Sequence, residues 1–216
     1  MGLDGLRKVK IDPENPDMKI IREAGRLLRE GKLVAYPTDT VYGLGANPFD
    51  VKAVQNLLRA KRRKWELGLP LLVSDESTAR KVAEFTPDAD LLSKNFWPGG
   101  LTLVLKPLIK IPSIVTGNKD SIAIRLPAHK VPRLLAKCID GILIGTSANI
   151  SGQPSALNAE QVQEQIGNDT DIILDGGETL NAQPSTIIDL TQRPAVILRE
   201  GKISAQMLKK FIDVKD

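Results

Sequence analysis

Two cations near the middle of the chain have the types and the spacing to hold a polyphosphate. Lys61 and Arg63 belong to the run KRRK at 61–64, where the second predicted helix ends. If the chain is extended there, residues two apart project to the same side, away from the core. Two cations aimed together repel each other unless an anion lies between them. The alternative is a solvated run of charges, because cations stabilise a helix C-terminus wherever they lie.

A single arginine on a predicted strand could bind a carboxylate. In the alternating segment 121–126 the apolar side chains share one face, and the other face carries Ser121, Ala123 and Arg125. Arginine is rarely buried without a partner. Arg125 therefore either faces water from an edge strand or lines a polar cavity, where its planar fork can bind a carboxylate through two parallel hydrogen bonds.

Two segments rich in hydroxyl groups follow apolar strands. They are PTDTVYGLG at 37–45 and GTSANISGQPS at 145–155. In open α/β sheets, ligands bind outside the carboxyl ends of the strands. Hydroxyls and backbone amides can also hold phosphate oxygens without a full charge. Turn chemistry alone would explain the first segment, and an ordinary polar loop the second.

The composition excludes several other kinds of site. Cys138 and His129 are the only residues of their types, so an internal disulfide, a cysteine zinc site and a histidine metal cluster are excluded. The chain has no P-loop motif, and Pro48 occupies the third glycine position of an otherwise dinucleotide-like GLG at 43–45. The formal charge of +4 suits an anionic substrate without requiring nucleic acid. No secretion signal or apolar run long enough to span a bilayer is present, so a cytoplasmic protein without membrane contact is expected.

The elements that must position these residues alternate between helix and strand, which predicts an α/β fold with a large mixed sheet. We expect one domain over residues 1–216, with a core at about 17–203 and a short C-terminal helix at 204–212. The other predicted helices lie at 17–31, 50–58, 76–85, 131–138 and 159–166. The predicted strands lie at 33–37, 69–73, 101–105, 121–126, 141–145, 171–174, 185–190 and 195–199.

Taken together, the motifs resemble those of the YrdC-like threonylcarbamoyl-AMP synthases. The matching segments are PTDTVYGL at 37–44, KRR at 61–63, SIAIRLP at 121–127, TSANISG at 146–152, PSTIID at 184–189 and ILREG at 197–201. They occur in the family's order and run through most of the chain. The resemblance implies an open, twisted, mixed α/β sheet with flanking helices around a deep basic cavity.

The resemblance also implies a reaction and the residues that serve it. L-threonine, bicarbonate and ATP would give threonylcarbamoyl-AMP and pyrophosphate, with Mg²⁺ and without a covalent protein nucleophile. Catalysis would rest on positioning and on charge stabilisation by Lys61 and Arg63; no metal ligand is assigned. The residues expected to bind threonine are Thr38, Arg125, Gly145 and Ser185. Those expected to bind ATP are Lys61, Arg63, Ser121, Ser147, Asn149, Ser155 and Arg199.

The chain departs from the family pattern at Lys64, where proline is usual, so the path of residues 64–70 is not defined by the resemblance. The chain also ends soon after the Arg199 motif and resembles the short form of these enzymes. Short forms work beside separate proteins that transfer the threonylcarbamoyl group to tRNA, and their own tRNA binding is expected to be weak.

Two alternatives stay open. A non-catalytic RNA-binding protein could use the same basic cavity, although aromatic residues form only 4% of the chain and offer no stacking platform. A relative that forms a carbamoyl-adenylate from carbamoyl phosphate would share the fold, although such proteins usually carry zinc-finger cysteines.

Overall fold

The computed structural model describes residues 8–179 and 183–215. Its helices are α1 (Met18–Arg29), α2 (Val51–Ala60), α3 (Glu76–Val82), α4 (Pro87–Phe96), α5 (Ser113–Thr116), α6 (Lys130–Lys137), α7 (Ala159–Ile166) and α8 (Ala205–Leu208). Its strands are β1 (Lys8–Lys10), β2 (Val34–Tyr36), β3 (Gly43–Gly45), β4 (Leu71–Val73), β5 (Leu101–Leu105), β6 (Ile122–Arg125), β7 (Ile142–Ile144), β8 (Thr146–Ser147), β9 (Ile172–Asp175), β10 (Thr186–Asp189) and β11 (Val196–Arg199).

The strands form two mixed sheets. One has the order β1-β9-β2-β3-β8 and the other the order β11-β10-β5-β6-β4-β7. Both contain parallel and antiparallel pairs: β2 is parallel to β9 and antiparallel to β3, and β5 is parallel to β10 and antiparallel to β6. The α/β class and the mixed strand directions predicted from the sequence are confirmed, but the strands form two sheets instead of the one large sheet that was expected.

Helices begin where short polar side chains accept hydrogen bonds from the first turn. Asp17 accepts from Lys19 N–H, Asp50 from Lys52 and Ala53, and Asn158 from Gln161. Such caps satisfy backbone donors that have no partner within the helix. The predicted starts of α1, α2 and α7 follow from these residues.

Strand β2 separates two hydrophobic clusters. Val34 and Tyr36 pack into a cluster with α1 and α6, which contribute residues such as Leu28 and Leu135. Ala35 faces the opposite way, into the larger cluster that includes α2, α7 and the six-stranded sheet. Successive strand residues point to opposite faces, so a strand buried on both faces is apolar throughout.

The predicted helices and strands are present, with two notable differences. The C-terminal helix ends at Leu208 instead of residue 212, because the chain turns back and Val214 pairs with Ala195. Residues 43–45, expected within a turn, form strand β3. Helices α4 and α5 and strands β1 and β8 have no counterpart among the predicted elements. No helix in the described ranges is both long and apolar enough to cross a bilayer.

Candidate active site

A cavity of about 170 Å³ lies between the two sheets and collects polar side chains from both. The five-stranded sheet and its loops contribute Tyr36, Thr38, Thr40, Val41, Tyr42, Gly43, Thr146 and Ser147. The six-stranded sheet and its flanking segments contribute Pro70, Leu72, Thr102, Arg125, Gly145, Pro184, Ser185, Ile187 and Arg199, and Arg63 and Ser155 complete the wall. Three arginines line the cavity and no carboxylate does, so the described wall is positively charged.

Thr38 shapes the turn that leads from β2 to β3. Its Oγ1 donates to the carbonyl oxygen of Val41 at 2.7 Å and accepts from the backbone N–H of Thr40 at 3.1 Å. The Tyr36 ring explains the glycines that follow: a Cβ at Gly43 or Gly45 would lie 2.6 Å or 2.7 Å from it. Glycine is therefore needed where β3 passes this ring, and the turn ends in a strand.

The Arg125 side chain is buried and donates three hydrogen bonds. Its Nε donates to the carbonyl oxygen of Gly99 at 2.8 Å, Nη1 to Thr40 Oγ1 at 3.0 Å and Nη2 to Asp39 Oδ1 at 2.6 Å. A guanidinium has five N–H donors, so two remain without a partner among the described residues. Arg125 thus lines the cavity rather than the protein surface, and it can still donate two hydrogen bonds to a ligand.

Arg199 and Ser185 form another part of the wall. Arg199 donates from Nε and Nη2 to the carbonyl oxygen of Ser185, and from Nη2 to Ser185 Oγ at 3.1 Å. Ser185 Oγ also lies 2.9 Å from Thr102 Oγ1. Burial lowers the pKa of Arg199, and the nearby guanidinium groups of Arg125 and Arg63 lower it further. Three guanidinium groups thus converge here, and of these Arg125 is paired with Asp39 while Arg63 and Arg199 have no carboxylate partner among the described residues.

Gly145 brings backbone against the cavity because no side chain fits there. A Cβ at this position would lie 2.2 Å from Leu72 Cγ, and the Gly145 N–H donates to the carbonyl oxygen of Pro70 at 2.9 Å. Strand β8 continues from it to Ser147, paired with Gly43. The absence of a side chain at Gly145 thus has a steric cause, and its role beside threonine stays a prediction.

Lys61 and Arg63 lie at a helix cap that ends α2. The prediction of an extended segment at this place is wrong. Arg62 adopts a left-handed conformation with φ 49°, and the N–H groups of Arg62 and Arg63 donate to the carbonyl oxygens of Arg59 and Leu58. This pattern is a Schellman motif. Arg63 turns toward the cavity, where its Nη2 donates to Gly68 O at 3.0 Å and its buried Nε has no partner.

Lys61 points into the protein next to Arg63. It is 1% exposed, and its Nζ donates to the carbonyl oxygens of Ser147 and Asn149. Burial, with a smaller effect of the Arg63 guanidinium, lowers the pKa of Lys61 from its ordinary 10.5 to about 7. The expectation that Lys61 lies outside the core is wrong.

The path of residues 64–70 is now defined. Lys64 has φ −68°, the angle that proline imposes, so the backbone leaves the cap as it would with the proline usual in the family. Trp65–Leu67 then forms a single 3-10 turn before Gly68.

The structure thus brings together most of the predicted site residues. Those lining the cavity are Thr38, Arg63, Arg125, Gly145, Ser147, Ser155, Ser185 and Arg199. Three others, Lys61, Ser121 and Asn149, do not line it. Asn149 donates to the carbonyl oxygens of Ile150 and Gln153, while its buried Oδ1 has no partner. The substrate roles given to these three residues, and to the eight that line the cavity, stay predictions.

Sequence reasoning missed residues that support the site. Asp39 pairs with Arg125, and Thr102 contacts Ser185. Thr102 had a visible signal, because it is the only polar residue in the apolar strand Leu101–Leu105. Asp39 was part of the 37–45 segment, but nothing in the sequence linked it to a residue 86 positions away.

The described residues do not form a metal site of their own, so a metal ion would fit here only together with a bound phosphate. No group of three or more His, Cys, Asp or Glu side chains in residues 8–179 and 183–215 could hold a metal. The cavity offers hydroxyls and arginines instead. Mg²⁺ commonly keeps several waters and binds substrate phosphates, so it could enter together with a nucleotide.

Comparison with known proteins places these residues in one family. The Sua5_yciO_yrdC family, whose description is Telomere recombination, matches residues 26–201. Threonylcarbamoyl-AMP synthase of Pyrococcus abyssi is 42% identical over 193 residues, which cover 89% of this chain and 57% of that protein. A Mycobacterium tuberculosis relative is 36% identical over 207 residues, which cover 94% of this chain and 93% of that protein. The chain thus spans little more than half of one relative and nearly all of the other.

Solved structures show the same fold. The structure of P. abyssi Sua5 complexed with L-threonine has a TM-score of 0.90 and 39% identity, covering 96% of this chain and 62% of that one. Escherichia coli YciO has a TM-score of 0.86 and 26% identity, covering 96% of this chain and all of that one. The protein described above belongs to the Sua5/YciO/YrdC family.

Proposed function

We propose that this protein is a threonylcarbamoyl-AMP synthase that uses L-threonine, bicarbonate and ATP. The observation that carries the proposal is a cavity that combines Arg125, Ser185 and Thr38 with Arg63 and Arg199, and that has no carboxylate in its described wall. Such a wall suits one small carboxylate and one polyanion. The relatives named for this activity support the assignment, as does the P. abyssi structure with L-threonine.

In the proposed reaction the three substrates meet inside the cavity. The threonine nitrogen forms a bond to the carbon of CO₂ derived from bicarbonate, with loss of water, and gives a carbamate. A carbamate oxygen then attacks the α-phosphorus of ATP, and pyrophosphate leaves with the electrons of the broken P–O bond. Neither step needs a protein nucleophile, so catalysis consists of positioning and charge stabilisation.

We assign the residues by the charges of the two larger substrates, the single carboxylate of threonine and the polyphosphate of ATP. We assign threonine to Arg125, with Thr38, Gly145 and Ser185 beside it. Arg125 has two N–H donors without a partner among the described residues, and these suit a carboxylate.

We assign ATP to Arg63, Ser147, Ser155 and Arg199, where positive charge is not neutralised by the described wall. Mg²⁺ would enter with the ATP phosphates and offset part of their charge.

The product is proposed to serve a tRNA modification that separate transferase proteins complete. An activated carbamoyl-adenylate must be passed on to an acceptor, and the acceptor would be a tRNA adenosine. We propose a cytoplasmic location for the protein, because ATP and tRNA are available there.

Omission of each substrate in turn tests the proposal. Pyrophosphate release should require ATP, L-threonine and bicarbonate together. Turnover that is indifferent to threonine but needs carbamoyl phosphate would identify the carbamoyl-adenylate alternative. Salt-dependent RNA binding without any ATP turnover would identify the non-catalytic alternative.

A further inference from the structure

Lys61 and the segment 147–151 hold each other through three hydrogen bonds. The Lys61 ammonium donates to the carbonyl oxygens of Ser147 and Asn149, the second at 2.7 Å. In return, the N–H of Ser151 donates to the Lys61 carbonyl oxygen at 2.8 Å. Lys61 is buried and does not line the cavity. Its charged end thus faces the backbone of this segment.

A second element holds the same segment. Gln165 of α7 accepts from Ile150 N–H at 3.2 Å and donates to the carbonyl oxygen of Pro154 at 3.0 Å. Gln165 is half-buried and lies outside the cavity wall. The segment that carries Ser147 is therefore tied to α2 by Lys61 and to α7 by Gln165.

We propose that Lys61 is a positioning residue, which orders residues 147–151 behind the nucleotide and does not contact its phosphates. Two carbonyl oxygens converge on the ammonium. Without that donor, Asn149 O would have no partner among the described residues, and Ser147 O would keep only the N–H of Asn149 at 3.0 Å. The segment would then open and shift Ser147, which does line the cavity. The inference rests on the proposed function, because it concerns the ATP site of that function.

Binding of adenosine, AMP and ATP distinguishes a positioning role from a phosphate contact. Calorimetry would compare the wild-type chain with Lys61→Met and Arg63→Met. Lys61→Met should weaken binding of all three ligands by a similar factor, about tenfold, because the whole segment is displaced. Arg63→Met should leave adenosine binding almost unchanged and weaken ATP binding the most. Weaker ATP binding with unchanged adenosine binding in Lys61→Met would overturn the inference.

Kinetics add a second readout. In Lys61→Met the KM for ATP should rise while kcat at saturating ATP is retained, since a well-ordered segment 147–151 stabilises the ground state and the transition state equally. Arg63→Met should lower kcat as well. A fall in kcat without a change in KM for Lys61→Met would show a direct role in the reaction, and would contradict the inference.

Gln165→Leu tests the same idea without touching Lys61 or the cavity. It should reproduce the uniform weakening of adenosine, AMP and ATP binding, to a smaller extent. Hydrogen exchange should be faster in residues 146–156 of Lys61→Met and Gln165→Leu and unchanged in β5 and β6, which shows that the variants are folded. Unchanged exchange over 146–156 in Lys61→Met would overturn the inference. If the wild-type chain binds none of the three ligands, the proposed function fails, while hydrogen exchange still reports on the Lys61 contact.

Discussion

The cations beside the cavity form two groups that differ in their partners. Arg125 has a carboxylate partner, because Asp39 Oδ1 lies 2.6 Å from its Nη2. Lys61, Arg63 and Arg199 have only carbonyl and hydroxyl oxygens as partners among the described residues. Burial lowers the pKa of each of these three side chains, and neighbouring arginines lower it further for Lys61 and Arg199.

The difference matches two kinds of anion. A guanidinium that is paired with a carboxylate still donates directional hydrogen bonds, but the pair has little net charge. Such a pair suits an amino acid, which carries one positive and one negative charge itself. Cations without such a pair store mutual repulsion, which a polyanion relieves when it binds. We therefore propose that this difference separates a threonine site from a polyphosphate site within one small cavity.

Removal of Arg125 should have the largest effect on stability. Arg125→Met leaves Asp39 buried without its partner, so the free energy of unfolding should fall by about 3–5 kcal/mol. Urea denaturation would measure it, with the exposed Arg22→Met as a matched control that stays within about 0.5 kcal/mol of wild type. The double variant Asp39→Leu/Arg125→Met should recover part of the stability. If Arg125→Met is as stable as Arg22→Met, the ion pair does not hold the site.

Arg63→Gln tests whether the cations without a carboxylate partner bind ATP. Loss of one charge-assisted phosphate contact should weaken ATP binding by about 1.5–3 kcal/mol and leave threonine binding nearly unchanged. Lys64→Gln is the matched control, since it removes the same charge from an exposed neighbour. Titration of each substrate at saturating levels of the other would measure both effects. Equal weakening in the two variants would mean that the cluster acts only through its overall charge.

Arg125→Lys tests whether geometry or charge matters at the threonine site. Lysine keeps the charge but replaces the planar fork with a point charge, so about tenfold more threonine should be required. The KM for ATP should stay nearly unchanged. If binding of both substrates weakens alike, the substitution has disturbed the whole cavity, and if neither changes, threonine is anchored elsewhere.

The last expected effect is a dependence of stability on pH. Because the folded-state pKa of Lys61 is about 7 and its ordinary value is 10.5, the unfolded chain binds more protons between these values. Stability from this group should therefore rise with pH above 7, by less than about 1.4 kcal/mol per pH unit. The measurement compares the free energies of unfolding of wild type and Lys61→Met from pH 6 to about 9, below the range where tyrosine ionises. The difference between the two proteins should show this slope. A flat difference would mean that Lys61 keeps its proton throughout the range.

Much of the fold could be predicted because its signals are local. Asp17 and Asn158 begin helices through their own side chains, and the alternation in 121–126 already placed Arg125 opposite the apolar face. By contrast, α4 carries a weaker pattern, and its start at Thr86 and Pro87 was overlooked although both are favoured there. Strand β3 was missed because glycine is a poor strand former, and its fit against Tyr36 is a tertiary contact.

By itself the sequence determined the α/β class, the order of the motifs and the types of side chain at the site. These depend on residue identity and on spacing along the chain, which a reader of the sequence can see. Only the tertiary structure decided that Arg125 is paired with Asp39, and that Lys61 turns inward to residues 147–151 while Arg63 faces the cavity. Those partners lie about 86–88 positions apart, and the left-handed residue Arg62 redirects the chain between the two cations. Which neighbour neutralises a buried charge depends on the packing of distant segments, and no local pattern records it.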